Sequence, residues 1–204
     1  MSSLVGSSCP EVSAMAYFDG KIEAIDLTNF KNSWKLIYFY PGDFTFVCPT
    51  ELAELASKKC DFDELKVKVF VISVDSPYVH KAWDDSELSK MINTRFPYPM
   101  LSDQDGSIGK RFGVYDERTK VDLRGAFIIN PDDVIQAVTI LVTSVGRSVS
   151  EIIRQIQALQ FARESNEVCP ASWKPGEKAL IPGADLVGSV YHYWKIGTIS
   201  DEGA

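Results

Sequence analysis

The chain has 204 residues, 45% of them apolar and 24% charged, with a formal net charge of −7. That length supports one sizeable core, or one domain plus an arm, and the acidity argues against nucleic acid or an anionic membrane as the main partner. No stretch approaches the roughly 20 apolar residues of a membrane span, and the opening MSSLVGSSCP has no signal-peptide pattern, so a cytoplasmic protein is expected.

Residues 1–33 read as an N-terminal addition. Asp19-Gly20, set between the apolar runs of Tyr17-Phe18 and Ile22, predicts a β-hairpin. Cys9, before Pro10, is expected to be a packing residue. Leu36 to Tyr40 is a β-branched and aromatic run of strand length, broken by Pro41 and Gly42. Cys48-Pro49-Thr50-Glu51 then reads as a helix start, with Pro49 at the first helical position and Glu51 in the first turn. Leu52, Leu55 and Ala56 supply its apolar face. Cys60 is expected at or past the end of that helix, as a structural residue.

Residues 66–74 are nearly continuous in apolar side chains, as buried parallel strands are. Asp75-Ser76-Pro77 leads into a helix carrying His80 and Trp83, with His80 read as a surface or packing residue rather than a general base. Phe96-Pro97-Tyr98-Pro99 is a loop, and residues 108–114 form a short helix closed by Gly113. Residues 123–130 and 134–141 flank Pro131-Asp132-Asp133 as an antiparallel hairpin at a sheet edge. Ser148 and Glu151 form a capping box for a helix to Ser165, whose apolar face is Val149, Ile152, Ile153, Ile156 and Leu159. After Asn166 the composition turns to Pro, Gly and isolated aromatics. The expected organisation is therefore one domain over residues 1–165 and a C-terminal arm over 166–204. The order of elements is that of a thioredoxin-like α/β fold.

Four scattered cysteines do not make a disulfide scaffold, no pair has C-x-x-C spacing, and with two histidines no metal site or cofactor is expected. Cys48 differs from the other three by its place. At the N-terminal end of a helix it lies beside unpaired N–H groups and the positive end of the macrodipole, where thiols ionise readily and become nucleophiles. A buried, inert cysteine is the plain alternative, and spacing bears on it. Thr45 stands three residues before Cys48 and Pro41 seven before it, so a hydroxyl is available to orient a small oxygen substrate and a proline to shield the site.

The pattern P-x-x-x-T-x-x-C resembles the active-site motif of the peroxiredoxins, and the run FYPGDFTFVCPTE (residues 39–51) is similar to the typical 2-Cys subgroup, including the alkyl hydroperoxide reductase C type. The resemblance spans roughly residues 8–190 and is tightest around 39–51, 123–130 and 167–176. It implies a thioredoxin-like fold and a peroxidatic Cys48 acting on hydrogen peroxide and small alkyl hydroperoxides. Arg124, by type alone an end-of-strand charge, falls on the family arginine that enters the active site. A thiolate there needs a cation that cannot lose its proton. Arg147 matches a second family arginine, with an orienting role beside Glu51.

Cys169, read alone, is a cysteine on a proline-bearing loop. The segment EVCPASWKP resembles the one that carries the resolving cysteine, which implies an intersubunit disulfide, a head-to-tail homodimer and assembly to a decamer. Thioredoxin or a flavoprotein disulfide reductase is the implied reductant, and a holdase chaperone or redox-signalling role is an alternative from another class. The chain lacks the G-G-L-G insertion of the peroxide-sensitive members, and Tyr191-His192-Tyr193-Trp194 replaces their Tyr-Phe ending. Resistance to over-oxidation is expected on that ground.

Overall fold

Asp19 and Gly20 both have positive φ, 47° and 78°, the backbone that a tight two-residue hairpin demands. They join β1 (Ser13–Phe18) to β2 (Lys21–Asp26). In this computed structural model, which describes residues 3–195, β3 (Trp34–Phe39) follows, every residue of it buried. It feeds α1 (Cys48–Ser57) through the loop of residues 41–47. Helix α1 begins one residue earlier than the sequence suggests, with Cys48 itself in the first turn and Pro49 next to it.

Lys58 leaves the helical region (φ −97°, ψ 16°) and the chain restarts as α2 (Lys59–Glu64). Cys60 therefore lies in the first turn of a separate helix, and it is exposed. Its place past the end of α1 is as expected, but the second helix start beside it is not. The break is invisible in the sequence, because LASKKC holds neither Gly nor Pro.

Next come β4 (Val67–Ser73) and α3 (Pro77–Trp83), which Ser76 caps by accepting from the Val79 amide. A π-helical turn (Asp84–Leu88) continues into α4 (Ser89–Ile92). The remaining elements of the sheet region are β5 (Met100–Ser102), α5 (Ser107–Phe112), β6 (Tyr115–Asp116), β7 (Val121–Asp122), β8 (Arg124–Ile129) and β9 (Ile135–Leu141). Gly113 ends α5 in the left-handed region, φ 69°, as a helix stop requires.

Seven strands form one sheet in the order β2-β1-β5-β4-β3-β8-β9, and β6 and β7 pair separately. Strand β3 runs parallel to β4 and antiparallel to β8, and β9 forms the edge, as the hairpin spacing predicts. Because β3 is buried on both faces, its alternate residues serve two different surroundings. Ile37 and Phe39 join Phe70, Ile72, Phe127 and Ile129 in the main core, with Ile108 and Phe112 of α5. Tyr38, opposite Ala126, points to the other side, where Arg124, two residues before Ala126 on β8, must also point.

The chain falls into two compact units, the first ending at Ser150 and the second beginning at Glu151. All the sheet strands belong to the first. The second holds nearly all of α6 (Val149–Ser165) and the segment after it. Among its described residues the backbone makes one isolated bridge, Val168 to Leu180, and two 3₁₀ turns, Ala184–Leu186 and Val190–His192. Trp173 anchors the segment: it is 2% exposed, lies 4.6 Å from the Phe161 ring, and donates its indole N–H to the Glu177 carbonyl.

Candidate active site

Cys48 has no exposed surface. Arg124 Nη1 lies 3.5 Å from its sulfur and 2.7 Å from Glu51 Oε2, so one nitrogen faces both groups. The other side of the Arg124 fork, Nε and Nη2, donates to the Thr143 carbonyl at 2.9 and 2.6 Å. A planar guanidinium held on two edges keeps its position and its charge at any pH the protein survives. Glu51, one helical turn after Cys48, supplies the carboxylate that neutralises it.

Glu51 is shared. Arg147 donates its backbone N–H and Nε to Oε1 at 2.7 and 2.9 Å, and Nη2 to Oε2 at 2.9 Å. Burial alone would raise the Glu51 carboxyl, but the hydrogen bonds and charge of Arg147, with the charge of Arg124, outweigh it and hold the group below its ordinary value. The remaining Arg147 nitrogen, Nη1, donates to the Gly125 carbonyl at 2.7 Å, and the guanidinium carbon sits 3.3 Å from the centroid of the Tyr38 ring. Four of the residues expected from sequence, Cys48, Glu51, Arg124 and Arg147, thus meet in one buried array.

The loop before Cys48 is held from beneath. Pro41 is buried at the end of β3. Tyr40 hydroxyl donates to Asp43 Oδ1 at 2.7 Å, His80 Nδ1 lies 2.8 Å from Asp43 Oδ2, and the Asp43 amide donates to Asp75 at 2.8 Å. Burial raises the Asp43 carboxyl despite these partners. His80 is fully buried in this cluster, which excludes the surface half of its expected reading. Sequence reading missed the cluster, and its only signal was the acid at 43 on a loop between two apolar elements. Thr45 donates its hydroxyl to the Gly42 carbonyl at 2.9 Å, so its proton is engaged within the loop and its lone pairs remain to accept.

All four cysteines are free thiols. Cys9 is half-buried and burial pushes it up to about 11, as suits a packing residue. Cys169 lies in the second unit, where its sulfur sits 3.5 Å from the Ala158 carbonyl and burial raises its thiol. Among the described residues no group of His, Cys, Asp or Glu is placed to hold a metal ion, and no helix is long and apolar enough to cross a membrane.

Residues 5–138 match the AhpC/TSA family, and residues 158–195 match the C-terminal domain of 1-Cys peroxiredoxin. The chain is 46% identical over 194 residues to the selenocysteine-containing peroxiredoxin PrxU of Peptoclostridium acidaminophilum, covering 94% of this chain and 96% of the relative. It is 42% identical over 191 residues to the alkyl hydroperoxide reductase C of Bacillus subtilis, covering 92% and 100%. The crystal structure of reduced 2-Cys peroxiredoxin from Plasmodium vivax superposes with a TM-score of 0.83 at 36% identity, covering 87% of this chain and 93% of that one. For AhpC of Enterococcus faecalis the TM-score is 0.77 at 35% identity, covering 83% and 100%.

Proposed function

The chain belongs to the AhpC/TSA family of peroxiredoxins and is a thiol peroxidase, and from that premise we propose that Cys48 attacks the peroxide and Cys169 resolves the product. The observation that carries the first half is the 3.5 Å approach of Arg124 Nη1 to the Cys48 sulfur at the start of α1. The substrates are hydrogen peroxide and small alkyl hydroperoxides, since a sulfur without exposed surface suits a small oxidant.

Cys48 thiolate attacks the terminal oxygen of the hydroperoxide in line with the O–O bond. The S–O bond forms as the O–O bond breaks, sulfur loses two electrons, and the departing alkoxide takes a proton to leave as alcohol, or as water from hydrogen peroxide. Arg124 and the amides at the head of α1 stabilise the charge that grows on the departing oxygen. Thr45, its own proton engaged on Gly42, accepts from the hydroxyl end of the peroxide. Glu51 and Arg147 keep Arg124 in place, and Pro41 shields the sulfur from water.

Cys48 is left as a sulfenic acid. The Cys169 thiol condenses with it, releasing water and forming a disulfide, which a thioredoxin or a flavoprotein disulfide reductase returns to two thiols. We place Cys169 on the partner subunit of a homodimer, in an arm over residues 166–204 that follows a peroxidase domain over 1–165. The matched C-terminal family is named for one-cysteine proteins, yet Cys169 lies inside the matched residues. Exposed Phe44, Phe46 and Tyr78 suit burial between dimers in a decamer, and the same apolar surface suits a holdase role. A cytoplasmic location fits the free thiols.

Non-reducing electrophoresis after one equivalent of peroxide tests the cycle. Wild type should give a covalent dimer band that both Cys48→Ser and Cys169→Ser lack. Peroxidase activity should vanish in Cys48→Ser, while a holding function should survive it. A dimer band in the Cys169→Ser variant would remove Cys169 from the cycle.

A further inference from the structure

We propose that Tyr38 is a positioning residue for the peroxide reaction: the face of its ring fixes the plane of Arg147 and, through Glu51, the Arg124 guanidinium that faces Cys48. This rests on the reading of Cys48 as the attacking sulfur and deepens it by one residue.

Every edge of the Arg147 guanidinium is engaged. Nε and Nη2 donate to the two oxygens of Glu51, and Nη1 donates to the Gly125 carbonyl. Those bonds lie in the guanidinium plane and resist sliding within it, but they resist tilting out of it poorly. A flat surface against one face supplies the missing restraint. Tyr38 provides it, with the guanidinium carbon 3.3 Å from the ring centroid, in a buried site where a cation over an aromatic face is strongly favoured. The ring itself is fully buried. It stands on a strand buried throughout, with the small Ala126 opposite on β8 and Val71 alongside on β4.

Tilt at Arg147 is passed on because Glu51 Oε2 accepts from Arg147 Nη2 at 2.9 Å and from Arg124 Nη1 at 2.7 Å. A shift of that oxygen moves the nitrogen that also faces Cys48. The buried Tyr38 hydroxyl makes no well-formed hydrogen bond among the described residues, and burial, with the nearby Glu51 carboxylate, pushes its ionisation up. The contact that aligns Arg147 is made by the ring face, so phenylalanine should replace it.

The test compares Tyr38→Phe, Tyr38→Leu and Phe127→Leu, the last a core substitution on the opposite face of the sheet. Each reduced protein is mixed with hydrogen peroxide in stopped flow and, separately, alkylated with iodoacetamide at the same pH, with Cys48 followed by peptide mass spectrometry because Cys9, Cys60 and Cys169 are free thiols too. Alkylation needs the sulfur but has no departing oxygen for Arg124 to stabilise. Tyr38→Phe should keep the peroxide rate within about twofold, and Tyr38→Leu should lower it about tenfold or more. Alkylation should change far less, and Phe127→Leu should leave the ratio of the two rates unchanged at a similar loss of Tm. Tyr38→Met carries the same expectation should the leucine variant not fold. An unchanged ratio in Tyr38→Leu or Tyr38→Met overturns the proposal, as does a Tyr38→Phe defect as large as that of leucine. Failure of the underlying reading shows elsewhere, as peroxidase activity retained in Cys48→Ser.

Discussion

Glu51 carries two buried guanidinium groups on one carboxylate, and removing its charge leaves both uncompensated. Glu51→Gln should lower stability at pH 7 by about 3–5 kcal/mol in urea unfolding. Because the folded carboxyl titrates below its ordinary value, its contribution is present above the unfolded value of roughly 4.3 and lost as pH falls through the folded value. The gap between wild type and variant should therefore narrow below about pH 4. Asp122 has the opposite sign. It is fully buried beside Gly109, neither of its oxygens has a hydrogen-bond partner among the described residues, and burial, with the charge of Asp103, pushes it up to about 8. An unfolded carboxyl ionises near about 3.9, so the folded protein holds a proton that the unfolded chain has released, and stability falls as pH rises from about 4 to about 8. Asp122→Asn should abolish that slope and be more stable than wild type at pH 8 by about 1–3 kcal/mol, the difference shrinking toward pH 4. An identical slope in the variant would mean the carboxyl is ionised in the fold. Neither Tyr38 nor Asp122 was legible in the sequence, since each matters through what strand register sets beside it. Cys48 and Arg124 were legible because their neighbours in the chain carry the pattern.

At the scale of elements, the strands and the active-site helix follow from local signals: Asp19-Gly20 for the hairpin, Pro41-Gly42 for the end of β3, Pro49 for the head of α1. The break between α1 and α2 had no such signal, so the helix that starts beside Cys60 was not foreseen. The segment after α6 has little backbone pairing of its own and depends on Trp173, whose ring meets Phe161 and whose carbonyl accepts from Arg154 at 2.9 Å. Trp173→Ala removes a buried indole, a loss of about 3–5 kcal/mol in a well-packed site. Limited proteolysis should cut this variant faster than wild type after Asn166, with cleavage within residues 13–141 unchanged. Equal cleavage of the two proteins would mean the segment is held by something else.

At the scale of the whole molecule, the fold class and the family could be expected from sequence because thirteen consecutive residues and two further segments carried the resemblance. The buried support beneath the loop, Tyr40 with Asp43 and His80, could not, since His80 comes from α3, far along the chain from the loop, and only folding joins them. Cys48 has no exposed surface while Phe46, two residues earlier, is 94% exposed. Under the proposed cycle a sulfur so placed works as a sieve: a two-oxygen molecule is small enough to be admitted to the folded site, whereas another protein's thiol must wait until the head of α1 opens. On that reading the order of events follows from the architecture, oxidant first and exchange partner second.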